Sequence, residues 1–165
     1  MTLSVSSIQY LDGPPDEAPE AAKAALAAFE SKWSVHRGDV AVLLPKDAWH
    51  DAVRALKEAG FGSFVDHSAV DYPGREPRFT VVAILLNMDT QDRLIVKTRV
   101  ADGEPLASLT PLWTAADWAE RETYDMFGVA FDGHPDMTRI YLPQSFEGWP
   151  LRRDFPLQGH LRFRD

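Results

Sequence analysis

Hydrophobic and polar residues follow two rhythms along this chain, and the switches between them mark its elements. "EAAKAALAAFESKW", residues 20–33, is rich in alanine and sets Leu26, Phe29 and Trp33 at helical spacing, which predicts a helix. "DVAVLLP", 39–45, predicts a strand that Pro45 ends. "KDAWHDAVRALKEAG", 46–60, puts Trp49, Val53 and Leu56 on one stripe and closes on Gly60, a favourable residue just past a helix end. Strands are predicted for "SFVDHSAVDY", 63–72, and for "FTVVAILLNM", 79–88, with "EPR" turning the chain between them. "TQD" then turns into "RLIVKTRV", 93–100, where Leu94, Val96, Thr98 and Val100 alternate with Ile95, Lys97 and Arg99. Residues 101–113 read as a loop, and a last helix is predicted from about Thr114 to Phe127.

This order predicts an α+β fold: a mostly antiparallel sheet with helices packed on one face, followed by an extended irregular C-terminal tail. The expected organisation is a flexible, proline-rich acidic leader over 1–17, an α+β domain over 18–130 and a tail over 131–165. Gly and Pro recur after Gly128, which opposes regular structure. Yet the tail carries Phe131, Ile140, Tyr141, Leu142, Phe146, Trp149, Leu151, Phe155, Leu157, Leu161 and Phe163. Burying each large apolar side chain is worth roughly 1.5–3 kcal/mol. The domain can host some of them, and a partner protein is the more natural host for the rest.

On a helical wheel, at about 100° per residue, Trp113, Ala116, Ala119, Thr123, Tyr124, Met126 and Phe127 gather on one side. Asp117, Arg121, Glu122 and Asp125 gather on the other. Thr114 is the expected N-cap. Two residues sit against the pattern. Glu120 falls in the apolar arc, where a carboxylate needs a cationic partner; Arg139, Arg152 and Arg153 are the candidates. Trp118 falls among the charges, which implies a tail residue packed over it or an external contact.

Composition narrows the chemistry. The chain has 165 residues, a net charge of −8 and no cysteine. The acidic balance opposes nucleic-acid binding, which needs a basic face. Disulfides, thiolate catalysis and cysteine-ligated clusters are excluded. The longest apolar run, "VVAILL", falls far short of the roughly 20 residues of a membrane helix. No basic segment leads an apolar one at the N-terminus, so no signal peptide is expected. Glu120 and Glu122 diverge by about 200° on the wheel, against a shared acid–base role. Glu122, Asp125 and His134 could meet a cation, but no paired-His spacing supports a metal, and His134-Pro135 reads better as a turn. Nucleophile and phosphate-loop motifs are missing. In "GWPLRRDFPL", 148–157, apolar residues surround Arg152, Arg153 and Asp154, which predicts an Arg–carboxylate clamp within or between subunits.

Residues 108–157 resemble the 30 kDa-type subunit of respiratory complex I, the proton-pumping NADH:quinone oxidoreductase. The resemblance rests on Glu120-Arg121-Glu122, Asp125-Met126-Phe127-Gly128, Gly133-His134-Pro135-Asp136, Arg139-Ile140 and Pro150-Leu151-Arg152-Arg153-Asp154-Phe155-Pro156-Leu157, in order and spacing. "DYPG", 71–74, and "RFTVVAILL", 78–86, extend it. Thr138, Trp149 and Ala83-Ile84 depart from the residues usual there. The resemblance implies a non-catalytic structural and assembly subunit of the peripheral arm, at the cytoplasmic face of the cell membrane and held there through the complex. It implies no cofactor on this chain, with FMN, iron–sulfur clusters and quinone on partner subunits. The partners implied are the hydrogenase-large-subunit-like subunit and the last-cluster subunit, with neither nucleic acid nor a membrane span. Trp118, Glu120, Arg121, Glu122, Asp125, His134, Pro135, Arg139, Trp149, Arg152, Arg153, Asp154 and Phe155 become the expected interface and structural residues, with no catalytic or metal residue among them. A membrane-bound energy-converting hydrogenase or related oxidoreductase is the alternative host. A metal-dependent enzyme using Glu122, Asp125 and His134 is the distant alternative.

Overall fold

A computed structural model of the protein describes residues 8–156. Its elements are α1 (Glu20–Leu26), β1 (Lys32–His36), β2 (Asp39–Leu44), α2 (Trp49–Glu58, entered by one 3₁₀ turn), β3 (Ser63–Asp71), β4 (Phe79–Leu86), β5 (Arg93–Val100), β6 (Leu106–Ala107), α3 (Ala116–Phe127) and β7 (Phe131–Asp132). The five long strands form one sheet in the order β1-β2-β5-β4-β3. Its pairs are antiparallel except β2 with β5, which run parallel. That is the α+β sheet expected, with one strand pair of the other sense.

The sheet's inward residues and the apolar stripes of the helices form a single core. Trp49, Ala52, Val53 and Leu56 of α2 are fully buried, as their spacing requires. They join Val42, Phe79, Val81, Ala83, Leu85, Leu94 and Val96 of the sheet. Ala22 and Leu26 of α1 and Ala116 and Phe127 of α3 belong to the same cluster, so all three helices lie on one face.

Three expectations are corrected. The first helix stops at Leu26, and Trp33 enters β1 opposite Val42. Arg37 and Gly38 both adopt positive φ (53° and 86°) between β1 and β2. A two-residue turn of that kind matches strand twist and closes a hairpin. Secondly, Leu106–Ala107 and Phe131–Asp132, expected as loop and irregular tail, pair as parallel strands on either side of α3. Thirdly, Thr114 does not cap α3; the helix is entered from Ala115 with no side-chain cap.

The expected leader is also tied down from Leu11 on. Leu11 and Trp33 exchange backbone hydrogen bonds of 2.7 and 2.9 Å, and Ala18 is buried in the core. Residues 1–7 and the apolar tail residues Leu157, Leu161 and Phe163 lie outside the described part of the chain.

Candidate partner-binding face

Helix α3 carries carboxylates into the interior at two places. Glu120 is fully buried. None of the three arginines expected beside it is its partner. The Leu109 amide donates to its Oε1 at 2.6 Å and the Ser108 hydroxyl to its Oε2 at 2.7 Å. The short β6–β7 pair explains this: it fixes the strand leading into Ser108 beside the helix it precedes. With no cation among the described residues to offset its desolvation, burial pushes the Glu120 carboxyl up to about 7.

Asp125 was expected on the solvated side of the helix. It is fully buried, because residues 139–142 close over it. Its Oδ1 takes a 2.7 Å ion pair from Arg139. Its Oδ2 accepts the amides of Ile140, Tyr141 and Leu142 at 3.1, 2.8 and 3.1 Å. Burial alone would raise this carboxyl; the amide of Tyr141, Arg139 and the other amides outweigh it and hold the group below the usual Asp range. Arg139 also donates to the Asp125 and Gly148 carbonyls and lies over the Trp149 ring, 4.3 Å from its centre.

A second anchor lies at the end of β3. Asp71 is buried and accepts two bonds from Arg78, at 2.7 and 2.9 Å, and the Arg153 amide at 2.8 Å. Arg78 pairs with Asp154 as well, at 2.9 Å. Its guanidinium holds both carboxyls below the usual range, and they in turn raise the Arg78 pKa. Arg152 grips Asp102 with two 2.9 Å bonds and donates to the Phe127 carbonyl at 2.6 Å. The Arg–carboxylate clamp of "PLRRDFP" therefore forms within the chain. Arg153 contributes through its amide, and its side chain is exposed.

Between the anchors the tail packs on the C-terminus of α3. Gly128 ends the helix at φ 76°, its amide bonded to the Tyr124 carbonyl at 2.8 Å. A β-carbon there would stand 2.6 Å from Trp149 and 2.7 Å from Arg152, so glycine permits both the turn and the close approach. Trp149 meets Tyr124 edge-on at 5.0 Å, and Phe155 stacks on Phe146 at 6.1 Å.

His134 ends a turn as the sequence suggests. Its Nδ1 accepts the Asp136 amide at 3.0 Å, so Nε2 carries the proton and reaches the Asp117 carbonyl at 3.2 Å. Pro135 beside it is exposed. Arg121 holds the tail at Thr138 with bonds of 3.0 and 2.8 Å and lies against the Trp118 ring.

These contacts dismantle the metal reading. Asp125 and His134 have their polar atoms taken up by the protein, and Glu122 is exposed. Among the described residues no three metal-ligating side chains converge. Among the polar groups that α3 and the tail leave outward stand three large apolar ones: Trp118 is 64% exposed, Tyr141 66% and Leu151 54%.

The wheel missed Asp71, Arg78, Asp102 and Ser108, which supply half of the anchoring contacts. It also missed His67, buried on β3 with Nδ1 3.0 Å from the Thr123 hydroxyl and Nε2 unpartnered. Burial lowers this imidazole to about 4 and keeps it neutral. An isolated Asp in "AVDYPG" or His in "FVDHSA" carries no local periodicity that would reveal such roles.

A family model described as the 30 kDa subunit of respiratory-chain NADH dehydrogenase matches residues 42–161. A relative from Hyphomonas neptunium, a subunit of its NADH-quinone oxidoreductase, is 42% identical over 135 residues, covering 80% of this chain and 67% of that protein. The chain spans about half to two thirds of the length of the first relatives it matches. Among solved structures, the trypsin-resistant fragment (1–134) of Nqo5 superposes with a TM-score of 0.63 at 30% identity, covering 69% of this chain and 94% of that one. A chain of an archaeal membrane-bound sulfane sulfur reductase, a respiratory membrane complex, superposes with a TM-score of 0.73 at 27% identity, covering 88% and 94%.

Proposed function

The chain belongs to the family of the 30 kDa subunit of respiratory-chain NADH dehydrogenase, and from that premise we propose that it is a non-catalytic scaffold in the peripheral arm of a proton-pumping NADH:quinone oxidoreductase. Its carboxylates and arginines serve grip. They lock an irregular tail onto α3 and the sheet end, and the locked assembly presents Trp118, Tyr141 and Leu151 to neighbouring subunits. Those neighbours are the hydrogenase-large-subunit-like chain and the chain of the last cluster, while flavin, clusters and quinone belong to partners. Attachment is to the cytoplasmic face of the membrane through the complex; among the described residues no helix is long and apolar enough to cross a bilayer.

The observation that carries this reading is the division of labour in the tail. The charged side chains Arg139, Arg152 and Asp154 are engaged in contacts within the chain, whereas the apolar side chains of Tyr141 and Leu151, with Trp118 of α3, are left exposed. The test is Trp118→Ala with Tyr141→Ala. The doubly substituted chain keeps its own thermal midpoint, because neither ring is buried in the core. Native-gel analysis of the complex shows incorporation falling by tenfold or more, since desolvated aromatic anchors at an interface are worth about 2 kcal/mol or more. Incorporation at wild-type yield refutes the reading.

A second host is supported by the superposition on the archaeal sulfane sulfur reductase chain: an energy-converting hydrogenase or related oxidoreductase in which the chain holds an equivalent place. Mass spectrometry of the purified complex separates the hosts by the presence or absence of an NADH-oxidising flavoprotein.

A further inference from the structure

The sheet has a second face, and among the described residues no helix covers it. Across β2, β5 and β4 its residues line up as Ala41, Ile95 and Ile84 in one row and Leu43, Lys97 and Val82 in the next. Leu43, Val82, Ile84 and Ile95 neither belong to the hydrophobic core nor pack against it, and each stays partly open to solvent. Together they form a flat aliphatic patch on the middle strands.

Lys97 stands at the centre of this patch. Leu43 and Val82 flank it across the strands, and Ile95 and Arg99 lie two residues away along β5, on the same face. Among the described residues no carboxylate comes within ion-pair distance of Lys97, Arg99 or Lys32. Burial among aliphatic side chains lowers the Lys97 pKa. The same face carries Asp39, which pairs with Arg93, and exposed Asp66 opposite Ile84, whereas Lys97 at its centre has no carboxylate beside it among the described residues. Beyond Leu43 the patch opens into a groove of about 580 Å³ of mixed charge, lined by Lys32, Lys46 and Arg99 together with Glu30, Asp47 and Glu104.

We propose that this face is a docking surface for a segment of a partner protein that sets a carboxylate on Lys97 and aliphatic side chains over Leu43, Val82, Ile84 and Ile95. Charge complementarity selects that occupant. A second copy docked about an axis through Lys97 would set this lysine against its own copy. Residues 1–7 carry no acid, and 157–165 carry Arg162 and Arg164 against one Asp. An anionic bilayer attracts uninterrupted basic clusters, whereas aliphatic side chains, Asp39 and Asp66 interrupt the cations of this face. The surface lies behind the sheet from α3 and the tail, so it does not rest on the interface described above.

Zero-length carbodiimide coupling on the assembled complex tests the proposal. Lys97 forms an amide with an Asp or Glu of another subunit, and mass spectrometry identifies the pair. Lys97→Met loses that product. The isolated Lys97→Met chain matches or exceeds the wild-type thermal midpoint, because an unpaired half-buried cation has been replaced by an apolar group. Its incorporation falls at least about thirtyfold, the usual effect of stranding a charge at an interface. Lys97→Glu fails to assemble, and reversing the cross-linked partner residue to Lys restores it. Coupling to Asp165, coupling between two copies, salt-sensitive binding of the isolated chain to phosphatidylglycerol vesicles, or wild-type incorporation of the Lys97→Met variant overturns the proposal. Failure of the Trp118 and Tyr141 test with a positive Lys97 cross-link would sink only the tail-side interface.

Discussion

Replacing Glu120 by glutamine isolates the effect of a buried carboxylate that has no cation beside it. In the folded chain its pKa stands at about 7 against an ordinary 4.5. A folded-state pKa above the unfolded one stabilises the protein fully at low pH, and that contribution fades as pH rises toward the folded value. Between pH 5 and pH 8 wild type therefore loses about 2.5 kcal/mol through this one group, with a slope of about 1.4 kcal/mol per pH unit between the two pKa values. Glutamine has the same shape. Its amide can still accept from Leu109 while its NH₂ group donates to the Ser108 oxygen, and it does not titrate. At pH 5 the variant lies within about 1 kcal/mol of wild type. By pH 8 it is the more stable protein by about 2–3 kcal/mol, or roughly 4–12 °C in midpoint for a chain of this size. Urea denaturation of the isolated chain at half-unit pH steps measures the difference curve. His67, whose own loss of stability runs downward from about pH 6.5 to 4, contributes equally to both proteins and cancels. Parallel stability profiles for the two proteins would refute the reasoning, as would a large penalty for glutamine at pH 8, which would reveal a cation beside Glu120.

Other perturbations separate the two anchors. Asp125→Asn removes the charge that pairs with buried Arg139 and leaves one oxygen to serve either that guanidinium or the three amides, and is expected to destabilise by about 3–5 kcal/mol, with trypsin reaching Arg139 at early times; an unchanged midpoint and cleavage rate would count against the anchor. Asp71→Asn costs about 3 kcal/mol at pH 7, and the deficit shrinks as pH falls below the usual Asp range. The carboxyl's folded pKa is depressed, so its stabilisation is present above that range and lost as wild type too is protonated; a deficit independent of pH would show that the charge is idle. Gly128→Ala combines a left-handed backbone with a clash against Trp149 and is expected to cost about 2 kcal/mol or more. Gly13→Ala, where a β-carbon meets nothing, serves as its control in thermal melts, and equal midpoints would refute the packing argument. Deleting residues 138–165 removes the cover over Asp125 together with its ion pair and three amide bonds, and uncovers the apolar end of α3 that Trp149 packs on; it is expected to lower the midpoint of the remaining domain as well as abolish its incorporation, and an unshifted midpoint would show that the tail contributes nothing to the body.

Periodicity alone revealed α2, four of the five long strands and the extent of α3, because a stripe every three to four residues, or alternation every two, is a local property. It also revealed that Glu120 faces inward and Trp118 outward. The same locality explains the failures. β1 is short and follows a helix-forming alanine run, so its pairing with β2 shows only in the hairpin. Asp125 sits on the polar side of the wheel, and no wheel can show that a tail fourteen residues on will close over it. Ion-pair partners were the least legible feature. Arg152 finds Asp102 fifty residues away, and the Arg153 amide finds Asp71 at a separation of 82. Which cation reaches which carboxylate depends on how strand ends, helix and tail cross in space. The sequence determined which side chains seek shelter and which carry charge. Only the tertiary structure decided who shelters whom, because burial is sensed within a turn of chain, whereas pairing in a low-dielectric interior is set by distances the chain closes only on folding.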